Sequence, residues 1–185
     1  RLRILGAARA VYVLKGRRGT TTRAIAEQAG VNETTLFRHF GTKQALIDAM
    51  REHCAAMPLL RATLEERVAE PIDQALHAIG MQIHEQIDRD RDLICMALAE
   101  AQLDPEGSEI TWRIPRGKME LLTEFFERRI AGGELRGEPK GIASVFMGAI
   151  FAHTMGQKVF KKSSTPTEEF MTSFIAYLLD GVRAR

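Results

Sequence analysis

The sequence predicts an all-α chain, and three features predict it. Apolar residues recur at helical spacing almost throughout, no stretch sustains the alternation of a half-buried strand, and glycine or proline opens or closes most periodic segments. With 185 residues, 45% of them hydrophobic, the chain is long enough for one large domain or two small ones around a real core. Charged residues are plentiful but mixed in sign, which argues against disorder.

The elements come in order along the chain. Leu2, Leu5, Ala8 and Tyr12 form a first stripe that ends at Gly16, a position suited to a helix C-cap. Ile25, Ala26 and Ala29 form a second, closed by Gly30; Leu36, Phe37 and Phe40 form a third, closed by Gly41. Thr42 can cap a fourth helix from Lys43, with Leu46, Ile47, Met50 and Cys54 inward, which Pro58 interrupts or ends. Pro71 suits the first turn of a helix reaching about Asp88, through Ile72, Leu76, Ile79, Ile83 and Ile87. Asp90 to Glu100 reads as a separate, shorter helix, and Asp104-Pro-Glu-Gly-Ser108 as a turn. Pro115 is expected to open the next helix, through Leu121, Leu122, Phe125, Phe126 and Ile130, before a loop over 132–139. Ile142 to Phe160 is a strongly apolar helix rich in small residues. Thr165-Pro166-Thr167-Glu168 is a capping box that starts a last helix carrying Phe170, Met171, Phe174, Ile175, Leu178 and Leu179. About nine helices result, with a division near residues 43 to 58.

Charge is unevenly spread. Arg1 to His53 holds ten lysines and arginines against four acids, whereas the remainder holds sixteen against twenty. A basic amino-terminal segment beside an acidic body suits a nucleic-acid-binding head on a body of another kind, though a chance asymmetry of solvated faces would look alike. Cys54 and Cys95 lie far apart with no metal-ligand spacing and read as reduced, mostly buried thiols. The chain starts at Arg1 rather than methionine, so a short leader is expected before it. No apolar run approaches a membrane span and no signal-peptide pattern opens the chain, so a cytoplasmic protein without membrane association is expected.

The stretch TTTRAIAEQAGVNETTLFRHFGTKQAL, from Thr20 to Leu46, asks for a specific explanation. Two short helices meet at Ala29-Gly30-Val31, where glycine tolerates a left-handed backbone and Val31 can fill the crevice. Asn32 is a good N-cap for the second helix. Leu36 and Phe40, one turn apart, anchor that helix inward and leave Glu33, Thr34, Thr35, Arg38 and His39 outward. This is the arrangement of a helix-turn-helix, whose second helix enters the major groove. Threonine can touch a thymine methyl or a phosphate, and arginine can fork onto guanine. Lys43, at the start of the next helix, can hold a phosphate together with the unpaired N–H groups there.

The residues Ile4-Leu5, Ala7-Ala8, Tyr12, Gly16, Thr20-Thr21, Arg23, Ile25-Ala26, Ala29-Gly30-Val31, Thr35-Leu36-Phe37-Arg38-His39-Phe40, Lys43 and Leu46 together resemble the amino-terminal domain of the TetR family of transcriptional regulators. The resemblance covers about a quarter of the chain. It implies a homodimeric repressor with a three-helix DNA-binding domain over 1–45 and a larger helical domain over 46–185 that binds a small inducer and dimerises. A linking helix at about 43–57 would bridge the two. Arg23, Thr34, Thr35, Phe37, Arg38, His39 and Lys43 match the family's DNA-facing positions. Thr22 can cap the first motif helix and contact phosphate. Phe37 stands where the family usually has tyrosine, so a hydroxyl contact to phosphate is missing. Arg17 replaces a common aromatic packing residue, and Gly41 stands where a charged residue could add a contact.

The last two helices are the implied dimer surface, and the sequence supplies Ala149, Ala152 and Gly156 beside Ile150, Phe151 and Met155, with Phe170, Phe174 and Leu178 for apolar area. An apolar or amphipathic inducer would sit among the middle helices, with Met81, His84, Ile94, Met96, Leu98, Trp112, Met119, Leu122, Phe126, Phe151 and Met155 as candidate lining. A methionine or aromatic stripe at helical spacing is more often plain core. His77 and His84 are seven residues apart, too wide for the usual metal pair, so neither a metal nor a cofactor is expected. Rival readings are an enzyme, an activator without inducer, or a helical protein-interaction module. No GxSxG, GxxxxGK[ST], HExxH or glycine-rich nucleotide loop supports the first.

Overall fold

A computed structural model describes residues 1–103, 109–158 and 165–182, with side chains left aside at 109–113 and 158. The described residues form α1 (Leu2–Gly19), α2 (Thr22–Ala29), α3 (Glu33–Phe40), α4 (Lys43–Ala55), α5 (Met57–Glu66), α6 (Ile72–Leu103), α7 (Glu109–Ala131), α8 (Pro139–Lys158) and α9 (Thr167–Val182). Among them there is no β-strand, only an isolated bridge residue at Leu135. The turn expected at Asp104–Ser108 lies outside the described residues.

Two helices depart from the sequence reading. The helices expected over Pro71–Asp88 and Asp90–Glu100 are one, α6. The run Asp88-Arg89-Asp90-Arg91-Asp92 between them holds no glycine or proline, and Asp90 is buried against Arg9 at 3.3 Å. Pro115 does not open α7 but lies inside it. The missing N–H there costs one i→i−4 bond, and the turn before it is helical all the same. In addition α5, which the sequence reading passes over, comes after α4 once Ala56 has entered the left-handed region (φ 50°).

The chain divides into two compact units. The first is Arg1–Ala56 with Asp90–Ile114; the second is Met57–Arg89 with Pro115–Arg185. α6 therefore contributes its beginning to the second and its end to the first.

The first unit closes around Ile4, Leu5, Ala8, Val11, Tyr12, Ile25, Ala26, Leu36, Leu46, Ile47, Met50 and Leu93, with Val31, Phe40 and Met96 packed on them. Gly16 (φ 65°) breaks α1, and three more residues make a further turn. That break frees the Arg17 N–H, which donates to Glu100 Oε1 at 2.7 Å. Glu100 also accepts the Tyr12 hydroxyl and pairs with Arg51 Nη2 at 3.5 Å, while Arg51 Nη2 donates to the Tyr12 hydroxyl at 2.6 Å. Tyr12 is fully buried, and its pKa is pushed up to about 12 by burial first and by the bond to Glu100 second. Sequence periodicity reads Tyr12 only as an apolar stripe member. In the fold it is the middle of a buried charge network that ties α1, α4 and the end of α6 together.

In the second unit, Phe126, Phe146, Phe170 and Phe174 form a chain of ring contacts joining α7, α8 and α9. A Cβ on Gly80 of α6 would stand 2.5 Å from Met171 Sδ, so any larger residue there would push the flexible end of Met171 aside. Arg129 is buried, donates both Nη atoms to Glu134 and to the carbonyls of Arg67 and Glu70, and so clasps the α5–α6 connection to α7. Of the residues expected at a dimer surface, Ile150 and Met155 close the unit's own core, whereas Ala152 is exposed.

His153 on α8 is 8% exposed and stacks flat on Phe170 at 3.9 Å, and among the described residues its Nε2 has no hydrogen-bond partner. Burial, and then the charge of His84 on α6, hold its pKa below the ordinary 6.5. The neutral ring is thus the folded form. Its contribution to stability is complete above about pH 6.5 and is lost as pH falls through the depressed folded value. Urea midpoints should drop between pH 7.5 and 5.5, and drop less in His153→Phe, which keeps the stacked ring but cannot titrate. Equal drops would remove His153 from the acid sensitivity.

Candidate nucleic-acid interface

The interface is built by α2, α3 and the first turn of α4. Thr21, not Thr22, caps α2: its side chain accepts from Ala24 N at 3.1 Å. The cap therefore lies one residue before the Thr22 expected from the sequence. The Thr22 hydroxyl instead donates to Glu33 Oε2 at 2.5 Å, across to α3. Gly30 ends α2 in the left-handed conformation (φ 62°, ψ 42°), the conformation for which the turn needs glycine. Asn32 then caps α3, accepting from Thr35 N at 2.9 Å.

Leu36 is almost completely buried and Phe40 half-buried, with the Arg1 guanidinium 5.4 Å over the Phe40 ring. These fix the inner face of α3. On its outer face Thr34, Arg38 and His39 are exposed, and Phe37 is 46% exposed. Thr34, Phe37 and Arg38 stand at i, i+3 and i+4, so they share one stripe. Thr35 is half-buried, and its hydroxyl is donated to Asn32 Oδ1 at 2.8 Å, which leaves its methyl and lone pairs for a ligand. Arg23 is exposed but turned onto Glu27 at 3.1 Å, a pair weak enough for a phosphate to displace. Lys43 opens α4, whose N-cap Thr42 accepts from Ala45 N at 3.0 Å. The positions read from the sequence thus lie on three consecutive element starts and one exposed helix face. Glu33, which the sequence reading places outward but gives no role, sits among them, and only the side-chain bond to Thr22 draws attention to it.

Such a face presents cations, hydroxyls and a half-exposed ring on a rigid short helix, and the class it defines is a helix-turn-helix, DNA-binding transcriptional regulator. Residues 4–50 match the family described as bacterial regulatory proteins, tetR family. The Bacillus subtilis (strain 168) HTH-type transcriptional regulator YvkB, itself uncharacterised, is 29% identical over 188 residues, covering 98% of this chain and 96% of that protein. A Mesorhizobium loti protein classed with the TetR-family regulators has the same fold at a TM-score of 0.80 and 18% identity, covering 99% of this chain and 96% of that one. The Bacillus subtilis regulator FadR, solved with stearoyl-CoA, aligns at a TM-score of 0.73 and 19% identity, over 97% and 98% of the two chains. The chain is thus similar to DNA-binding transcriptional regulators along its length, and its residues 4–50 match the DNA-binding domain of the tetR family.

The residues suggested for an inducer pocket scatter. Leu122, Phe126 and Met155 are buried core of the second unit, and Met81, His84, Met119 and Phe151 are half-buried there. Met96 belongs to the first unit, near Gly16; Ile94 and Leu98 are half-buried in that unit also. The side chain of Trp112 lies outside the described residues. His84 bonds Thr154 Oγ1 at 2.9 Å and approaches Thr167 Oγ1 at 3.4 Å. A separate groove runs between α5 and α7 over Leu64, Leu121 and Phe125, rimmed by Arg61, Glu65, Glu124 and Arg128, and none of the suggested residues lines it. No helix among the described residues is long and apolar enough to cross a membrane.

Two substitutions separate positioning from reading. Lys43→Ala is expected to weaken binding about equally on all duplexes and to lower the salt slope by about one. Arg38→Ala is expected to cost about 1–3 kcal/mol on the best operator and to relax one base position. Fluorescence anisotropy on a set of operator variants at two salt concentrations checks both. An Arg38→Ala profile identical to wild type would mean that the reading face is wrongly placed.

Proposed function

We propose that the protein is a homodimeric repressor that leaves its operator when a small apolar or amphipathic molecule binds its larger helical domain. The observation that carries the reading is the exposed stripe of Thr34, Phe37 and Arg38 above a buried Leu36. A single such head reads too few bases, so two are needed, on half-sites about 34–36 Å apart or a multiple of that.

The surface of α8 and α9 supports a second copy as the partner. Val145 and Tyr177 are 56% and 77% exposed, and Ser144, Gly148, Ala152, Ser173 and Ala176 beside them are exposed and uncharged. Small residues let helices of two copies approach closely. The ligand class draws support from FadR, whose structure holds stearoyl-CoA, and from a second structural relative, FrrA, called a flavonoid-responsive regulator.

Release works by population shift: a ligand that binds better to one arrangement of the heads favours that arrangement, and affinity alone moves nothing. The change enters the head through α4 and through the end of α6, whose Leu93, Met96 and Glu100 pack with the amino-terminal helices. Titrating an operator duplex with the protein, alone and with acyl-CoA, flavonoid and other apolar or amphipathic compounds, tests the reading. Retardation that a compound abolishes supports it. Operator affinity unchanged across the whole set counts against release by an inducer, and a protein that shifts no duplex specifically counts against the regulator itself.

A further inference from the structure

Glu33 is the first residue of α3, at the end of the helix from which a helix-turn-helix reaches base edges. It is a carboxylate on a surface that faces phosphates, so it repels duplex of any sequence unless something specific offsets the repulsion. Among the described residues no cation offsets it: Glu33 forms no ion pair, and neighbouring Arg23 is turned onto Glu27. Its side chain instead accepts the Thr22 hydroxyl at Oε2, at 2.5 Å. That bond spends a hydroxyl that could have donated to phosphate, and it fixes the rotamer of the glutamate. Oε1 is left over as an oriented acceptor.

An ionised carboxylate has acceptors only, so it can pair with base amino groups and is repelled by the guanine O6/N7 and thymine O4 edges. Among base edges the pairing that suits glutamate is the cytosine N4 amino group. We infer that Glu33, held by Thr22, is a specificity-determining residue that accepts the N4 amino group of one cytosine in each operator half-site. The inference rests on α3 as the groove-reading helix. It adds a reader whose sign is opposite to that of the basic residues around it.

Selection of bound sequences from a randomised duplex library, with wild type, Glu33→Gln, Glu33→Ala and Thr22→Val, tests it. Wild type should fix cytosine at one half-site position. Glu33→Ala should lose preference there, by about 5- to 150-fold, keep the other positions and bind non-cognate duplex more tightly. Glu33→Gln, close in shape and uncharged, should move the preference towards adenine, which glutamine pairs bidentately. Thr22→Val should blur the same position and no other. If Glu33→Ala and Glu33→Gln select the wild-type sequence and only melt earlier, the bond is merely a tie between α2 and α3 and the inference is overturned. A wild-type pool with no enriched sequence removes the groove-reading assignment itself, and this inference with it.

Discussion

Glu100→Ala is expected to destabilise the first unit by about 3–5 kcal/mol, the cost of leaving a buried charge without its counter-ion. Arg51 is only 8% exposed, and its acidic partner here is Glu100. The same substitution removes the acceptor of the Tyr12 hydroxyl and of the Arg17 N–H, in a place where water does not easily replace it. Urea unfolding monitored by far-UV circular dichroism reads the loss, and operator affinity should fall with it because α1 and α4 support α3. Glu100→Gln should cost less, since the amide oxygen still accepts while the charge is gone. A combined change of Tyr12, Arg51 and Glu100 to apolar residues of similar volume should cost less than Glu100→Ala alone, since no charge is then stranded. A loss below about 1 kcal/mol for Glu100→Ala would mean that the network carries little of the unit's stability.

Ala152→Arg should abolish tight operator binding while leaving the fold intact. Ala152 is exposed on α8, so in a lone chain the guanidinium stays in water and the change is close to neutral, within about 0.5 kcal/mol. Within the proposed α8–α9 dimer it would have to be desolvated against small uncharged residues, at a cost of several kcal/mol. The variant should sediment as a monomer and bind the full operator at least about 100-fold more weakly, one head having lost the help of the other. Half-site binding should survive, because α3 is untouched. A variant that stays dimeric and binds normally would show that copies meet elsewhere.

The amino-terminal helices were legible residue by residue because their constraints are local. Gly30 needs a left-handed backbone, Asn32 caps the helix beginning at Glu33, and Leu36 and Phe40 sit one turn apart; each is a rule about neighbours in sequence. The same locality explains one error there. Thr21 and Thr22 are both good caps, and only the geometry sends the first hydroxyl to Ala24 N and the second to Glu33. Farther along, two helices were expected, one to about Asp88 and one from Asp90, because the sequence does not show that Asp90 is buried against Arg9. Pro115 suggested a helix start, because the rule for proline describes its own turn and not the one before it. Apolar stripes marked a core in the second half without separating core from ligand lining, since both demand the same side chains.

By itself, then, the order of residues determined an all-helical chain, a helix-turn-helix near its beginning and the side of α3 that faces outward. Those depend on backbone preferences and spacings within a few residues. Only the tertiary structure decided that Glu100 meets Tyr12 and Arg51, that Thr22 holds Glu33, and that Ile150 and Met155 turn inward while Ala152 does not. Each of these depends on where chain segments far apart come to lie, and burial and pairing between distant residues leave no periodic trace.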